Sequence, residues 1–119
     1  ACTVQKQMIL PLLLAAWLAQ SPEIFAPGSV STALPEFGAT FTPDGKTIYF
    51  NRTNPDGSVI EIFESHLVNG RWTPAVKSAF SGSRDIDPFV APDGRRLYYC
   101  ADGPDGALDL WFLSRSGQG

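Results

Sequence analysis

Phe41-Thr42-Pro43-Asp44-Gly45-Lys46-Thr47-Ile48-Tyr49-Phe50 and Val90-Ala91-Pro92-Asp93-Gly94-Arg95-Arg96-Leu97-Tyr98-Tyr99 are two versions of one phrase, set 49 residues apart. Pro-Asp-Gly lies inside both and recurs at Pro55-Asp56-Gly57 and Pro104-Asp105-Gly106, so the four copies are spaced by 12, 37 and 12 residues. The flanks extend the match: Ile60-Glu61-Ile62-Phe63 corresponds to Leu108-Asp109-Leu110-Trp111 at a shift of 48, one residue having been lost at the intervening turn. Turn tips tolerate such length changes best. The chain is therefore built on a repeat, and the repeat unit is what has to fold.

Each unit reads as four strands. Proline presets φ at the first corner of a turn, aspartate bonds its own backbone, and glycine takes the positive φ that closes a short loop, so every Pro-Asp-Gly marks a strand reversal. Asn69-Gly70 marks another and is the strongest two-residue hairpin signal in the chain. Strands are expected over residues 39–42, 46–52, 59–68 and 71–78 of the first unit and over 88–91, 95–101 and 107–114 of the second, where a fourth strand is missing. Glu23-Ile24-Phe25-Ala26 is expected to supply an outer strand from a preceding unit. Apolar residues run together in Ile48-Tyr49-Phe50 and Leu97-Tyr98-Tyr99-Cys100, so both faces of each sheet need cover. The expected fold class is all-β, with four-stranded antiparallel units whose period of about 40–50 residues reads as β-propeller blades.

The marks at residues 41–50 and 87–99 resemble the TolB-type, WD-like Pro-Asp-Gly β-propeller repeats of exported bacterial proteins, from about Glu36 to the C-terminus. Residues 22–27 also resemble the entry to such domains. The resemblance implies a non-catalytic binding or scaffold module with envelope protein contacts, periplasmic or secreted, whose loops at one end hold a protein, peptide or carbohydrate. The rival reading is the accessory or catalytic propeller portion of a hydrolase or polysaccharide lyase. Residues 21–119 hold about one and a half to two blades, a unit at 36–84 and a truncated one at 85–119, where closed propellers have about four to eight. The chain is accordingly expected to be part of a longer protein, or else to self-associate through its open blade faces.

Composition agrees with a folded domain. Of the 119 residues 44% are hydrophobic and 18% charged, and twelve acids against nine bases give a net charge of −3, which excludes an electrostatic nucleic-acid binder and a disordered tail. Eleven glycines and ten prolines exceed the usual roughly 12% and fall as punctuation between short apolar runs. Residues 1–20 read as a leader: the uncharged run from Met8 to Ala19, with Lys6 before it and Gln20-Ser21-Pro22 after it, is too short for a membrane span and suits the core of a secretory signal. The alternative is an apolar segment docked on the domain. Cleavage there would remove Cys2, leaving Cys100 without a disulfide partner and with the role of a small buried hydrophobe.

Few residues offer chemistry. His66 is the single histidine and is read as a surface or strand-pairing residue. No catalytic residue, metal site or cofactor is assigned, and calcium lacks the alternating oxygen ligands of a binding loop. The candidate binding residues are Asp85 and Asp87, in Ser83-Arg84-Asp85-Ile86-Asp87-Pro88, with Glu36 at the position equivalent to Asp85. By resemblance they stand at the entry to an innermost strand and would line an acidic channel mouth that takes a cation or a basic segment. The other reading is that Asp85 or Asp87 accepts backbone N–H bonds at the strand entry and pairs with Arg84. Trp111 is expected to fill a core between blades, and Trp72 is placed on the outer strand, where its ring is free for a partner.

Overall fold

A computed structural model describes residues 20–116, and the expected leader, Cys2 and Trp17 fall outside them. The described chain is all-β and antiparallel, in two sheets. The first contains β1 (Glu36–Phe41), β2 (Thr47–Thr53), β3 (Ile60–Val68), β4 (Arg71–Trp72) and β5 (Val76–Lys77); the second contains β6 (Ile86–Val90), β7 (Arg96–Asp102) and β8 (Leu108–Ser114). β1 to β4 and β6 to β8 lie in chain order, because each is joined to the next by a short turn that returns the chain beside the strand it just left, while β5 continues along β3 beyond β4. At all four Pro-Asp-Gly turns the aspartate accepts the backbone N–H two residues on, as Asp44 does from Lys46, Asp56 from Ser58, Asp93 from Arg95 and Asp105 from Ala107. The glycines Gly45, Gly57, Gly94 and Gly106 supply the positive φ.

The repeat extends to backbone defects. β1 is bulged against β2 between Phe37 and Thr40, and β6 against β7 between Ile86 and Phe89. At these matching bulges Gly38 has φ of 64° and its equivalent, Asp87, has 56°.

Two expectations are corrected. The fourth strand does not run unbroken over residues 71–78: β4 and β5 both pair with β3, but an extra residue bulges out between Trp72 and Val76. Pro74 has no N–H to donate there, and the Thr73 side chain enters the ladder in its place, its hydroxyl accepting from His66 N while its carbonyl accepts from Ser65 Oγ. Residues 23–26 form no outer strand. Pro27-Gly28 turns the chain, Ser29 and Val30 donate to Ala26 O, and the loop lays Val30 on the first sheet.

That loop closes the main core, in which Val30, Ile48 and Phe50 are buried and Phe63, Trp72 and Ala75 pack around them. Phe25, Phe41 and Trp72 meet edge to face or tilted at 5.4–6.0 Å, so the Trp72 ring is engaged within the chain rather than free. Ile48 and Phe50 face this outer side of the first sheet. Tyr49 and Asn51, one residue out of phase, face the second sheet.

The sheets are joined face to face by polar and aromatic contacts. Thr40 Oγ1 accepts from Val90 N at 3.0 Å, and a ring series runs from Tyr49 through Phe80 to Tyr99, with centroids 6.4 and 5.4 Å apart. Asn51, fully buried, donates to Asp85 O and accepts from Asp87 N, both at 2.8 Å. β8 differs from every expectation of core filling: all seven of its residues are exposed, Trp111 and Phe112 on opposite sides included, because among the described strands β8 lies against β7 alone.

Candidate functional site

The three acidic candidates lie on or just before neighbouring strands, Asp87 close to Gly38 of β1, but each carboxylate has its own surroundings. Glu36 opens β1, and its carboxylate accepts from the backbone and hydroxyl of Thr32 and from Arg52 Nε, the last at 3.0 Å. Arg52 is itself held by Val30 O and lies over the Phe63 ring at 4.6 Å, so the ion pair is packed against the main core. Burial pushes the Glu36 carboxyl up, but the Thr32 hydrogen bonds and the Arg52 guanidinium outweigh it and hold the group below the usual carboxylate value.

Asp85 is buried, and its Oδ2 accepts from Gly82 N at 2.7 Å. The equivalent carboxylates thus make equivalent contacts: Glu36 and Asp85 each bind a backbone N–H of the incoming loop, four and three residues upstream. Asp87 is exposed, and its left-handed φ breaks the alternation that would have put the two aspartates on one side of the segment. Arg84 pairs with Asp102 at 3.3 Å, not with Asp85 or Asp87. Among the described residues no three His, Cys, Asp or Glu side chains gather as a metal ion would require.

The structure instead brings together a set that the sequence reading passed over. A cleft of about 420 Å³ opens between the sheets at the end where the Pro43-Asp44-Gly45 and Pro92-Asp93-Gly94 turns lie. Strand register builds its floor: Thr47 stands opposite His66 and Tyr49 opposite Glu64, all on the side of the first sheet that faces the second. Thr47 Oγ1 lies 3.0 Å from His66 Nδ1, His66 Nε2 lies 3.1 Å from Glu64 Oε1, and Ser78 Oγ donates to Glu64 Oε2 at 2.7 Å. A carboxylate only accepts, so in the neutral imidazole Nε2 carries the proton and Nδ1 accepts from the Thr47 hydroxyl. Burial, and then the Glu64 charge, push the Tyr49 hydroxyl above its ordinary pKa, so that it stays protonated.

The rim is basic. Arg95 and Arg115 are exposed at the cleft mouth, tied to each other by the Arg115 N to Arg95 O hydrogen bond. Both Glu64 oxygens are engaged by His66 and Ser78, so its negative charge is held on the floor of the cleft while the arginines stand at the opening. The cleft side chains are not demanded by the fold: the positions equivalent to Thr47, Glu64 and His66 in the second unit hold Arg96, Phe112 and Ser114. Two signals pointed here in the sequence. Glu64 and His66 are two apart on one strand and so share a face, and the turn at Pro55-Asp56-Gly57 sets the register that brings Thr47 across from His66.

Compared with known protein families and with curated proteins, the chain shows no match.

Proposed function

We propose that the two sheets are successive blades of a β-propeller, and that the chain is a non-catalytic binding or scaffold module of an exported envelope protein. Its partner, a protein, peptide or carbohydrate, presents an anionic group to the cleft between the sheets. The observation that carries this reading is the cleft itself, concave, rimmed by Arg95 and Arg115 and floored by hydrogen-bonding side chains that the repeat does not require. Guanidinium pairs bind carboxylates through parallel N–H···O bonds, so a carboxylate is the group the rim suits best. Support for the blade reading comes from the repeat, the matching bulges and the face-to-face stacking of the sheets.

Titration with a glutamate-rich peptide, followed by amide chemical shifts, tests the proposal. Shifts centred on Thr47, His66, Arg95 and Arg115 that vanish in Arg95→Glu/Arg115→Glu are expected; no shifts, or shifts unaffected by the double change, would refute it. A hydrolase reading is favoured by one feature, the ordered chain of hydroxyl, imidazole and carboxylate at Thr47, His66 and Glu64, which is the order in which a base-activated nucleophile is held. Turnover of p-nitrophenyl acetate that is lost in both Thr47→Val and His66→Gln would establish it over the binding reading.

A further inference from the structure

The floor of the cleft between the sheets carries a line of hydrogen bonds whose direction depends on one proton. With the imidazole neutral, His66 Nε2 donates to Glu64 Oε1 at 3.1 Å and Nδ1 accepts from the Thr47 hydroxyl at 3.0 Å. Glu64 keeps its charge, its other oxygen accepting from Ser78 Oγ at 2.7 Å. In that state the floor holds one negative charge beneath the arginine rim, and the Thr47 hydroxyl has no proton left to offer a ligand. Both features oppose the anion that the rim attracts.

A second proton on the imidazole reverses both. It enters at Nδ1, because Nε2 already carries one, and Nδ1–H then donates to Thr47 Oγ1. The hydroxyl hydrogen leaves that bond and is free to donate to a bound carboxylate. The imidazolium also neutralises Glu64, so the floor passes from one negative charge to none. His66 is the single histidine of the chain, and histidine is the side chain whose ordinary titration falls between about pH 5 and 8. Its neighbours hold their state across that range. On β2 the Tyr49 hydroxyl, pushed up by burial and then by the Glu64 charge, stays protonated. Arg95, Arg96 and Arg115, on the side of the second sheet, stay cationic. The turns at the rim add Lys46, Asp93 and Asp44, the last held below the usual carboxylate value by the Thr42 hydroxyl and the Lys46 N–H. The segment after β4 meets His66 through the uncharged Thr73.

We infer that protonation of His66 switches the cleft from a weak to a strong binder of carboxylates, so that the anionic partner is taken up in mildly acidic surroundings and let go as the pH rises. The inference rests on the reading of the cleft as an anion site and adds its control. The charge change and the freed hydroxyl act together, because one proton produces both. Linkage makes the effect reciprocal: a carboxylate that prefers the protonated floor must in turn hold the proton on His66 to a higher pH.

Titration of the full chain with a glutamate-rich peptide, at constant ionic strength and at about pH 5.5 and about pH 8, tests the inference, since the peptide carboxylates are ionised at both. The unaltered chain is expected to bind about tenfold more tightly at the lower pH. The imidazole proton resonances of His66 should titrate at a higher pH with the peptide bound than without it. His66→Gln should hold the affinity near its high-pH value throughout. Thr47→Val should weaken binding about threefold more on the acid side than on the alkaline side, and Thr47→Ser should restore it. Equal affinity at the two pH values, a His66 titration unmoved by saturating peptide, or a pH dependence that survives whole in His66→Gln would overturn the switch and leave the anion site standing. No binding at either pH, or binding indifferent to Arg95→Glu/Arg115→Glu, would overturn both.

Discussion

Replacing Asn51 with leucine should uncouple the two sheets. The side chain is fully buried and makes three hydrogen bonds, to Asp85 O at 2.8 Å, from Asp87 N at 2.8 Å and to Glu61 O at 3.3 Å. Leucine keeps the volume and removes every partner. A buried backbone group left unpaired costs about 1–3 kcal/mol, and the long bond to Glu61 O contributes least, so the expected loss is about 3–5 kcal/mol. That is a large part of the roughly 5–15 kcal/mol that holds a domain of this kind together. Thr40→Val removes a single bond at the same interface and should cost only about 1 kcal/mol. Urea unfolding followed by far-ultraviolet dichroism, at concentrations that keep the chain monomeric, gives both numbers, and hydrogen exchange locates the damage. The amides of Asp87 and Val90 should lose protection before those of β2 and β3. A cost below about 1 kcal/mol for Asn51→Leu, or protection lost evenly across both sheets, would refute the assignment of Asn51 as the clasp.

Two further outcomes follow from the acidic residues. The Glu36 carboxyl is held below 4.5 in the folded chain, so its contribution is complete above that value and is lost as pH falls through the lowered one; urea midpoints should drop more between pH 7 and pH 3 for the unaltered chain than for Glu36→Gln, and equal drops would exclude the role. At Asp87, where φ is 56°, Asp87→Gly should leave melting unchanged or slightly raised while Asp87→Val should cost about 1–2 kcal/mol. If Asp87→Gly instead abolishes binding of a cation with stability intact, the residue serves a ligand.

The amino-acid sequence alone determined the all-β class, the turn positions and most strand limits to within a few residues. These are local matters: Pro-Asp-Gly and Asn69-Gly70 bend the chain through φ preferences and short-range hydrogen bonds that act whatever the rest of the molecule does. The same local terms misplaced residues 23–26, because a short apolar run reads alike as a strand or as a loop that plugs a core, and only the open outer side of β2 selects the second. They also left the fourth strand whole, since a bulge such as that around Pro74 is felt only when a partner strand counts residues against it. The acidic cluster was visible as composition, but the partners of its members were not. Asp85 finds Gly82 within its own loop, while Asn51 finds Asp85 and Asp87 across 34 and 36 residues of chain. Asn51 itself carried no sequence signal, being one polar residue in an apolar strand. Its importance arises when a second sheet excludes water from around it, for then an amide must find protein partners in place of solvent. The cleft of Thr47, Glu64, His66, Arg95 and Arg115 belongs to tertiary structure for the same reason: register places three of them on one face, but only the stacking of one sheet on the other makes a hollow and sets the arginines at its mouth.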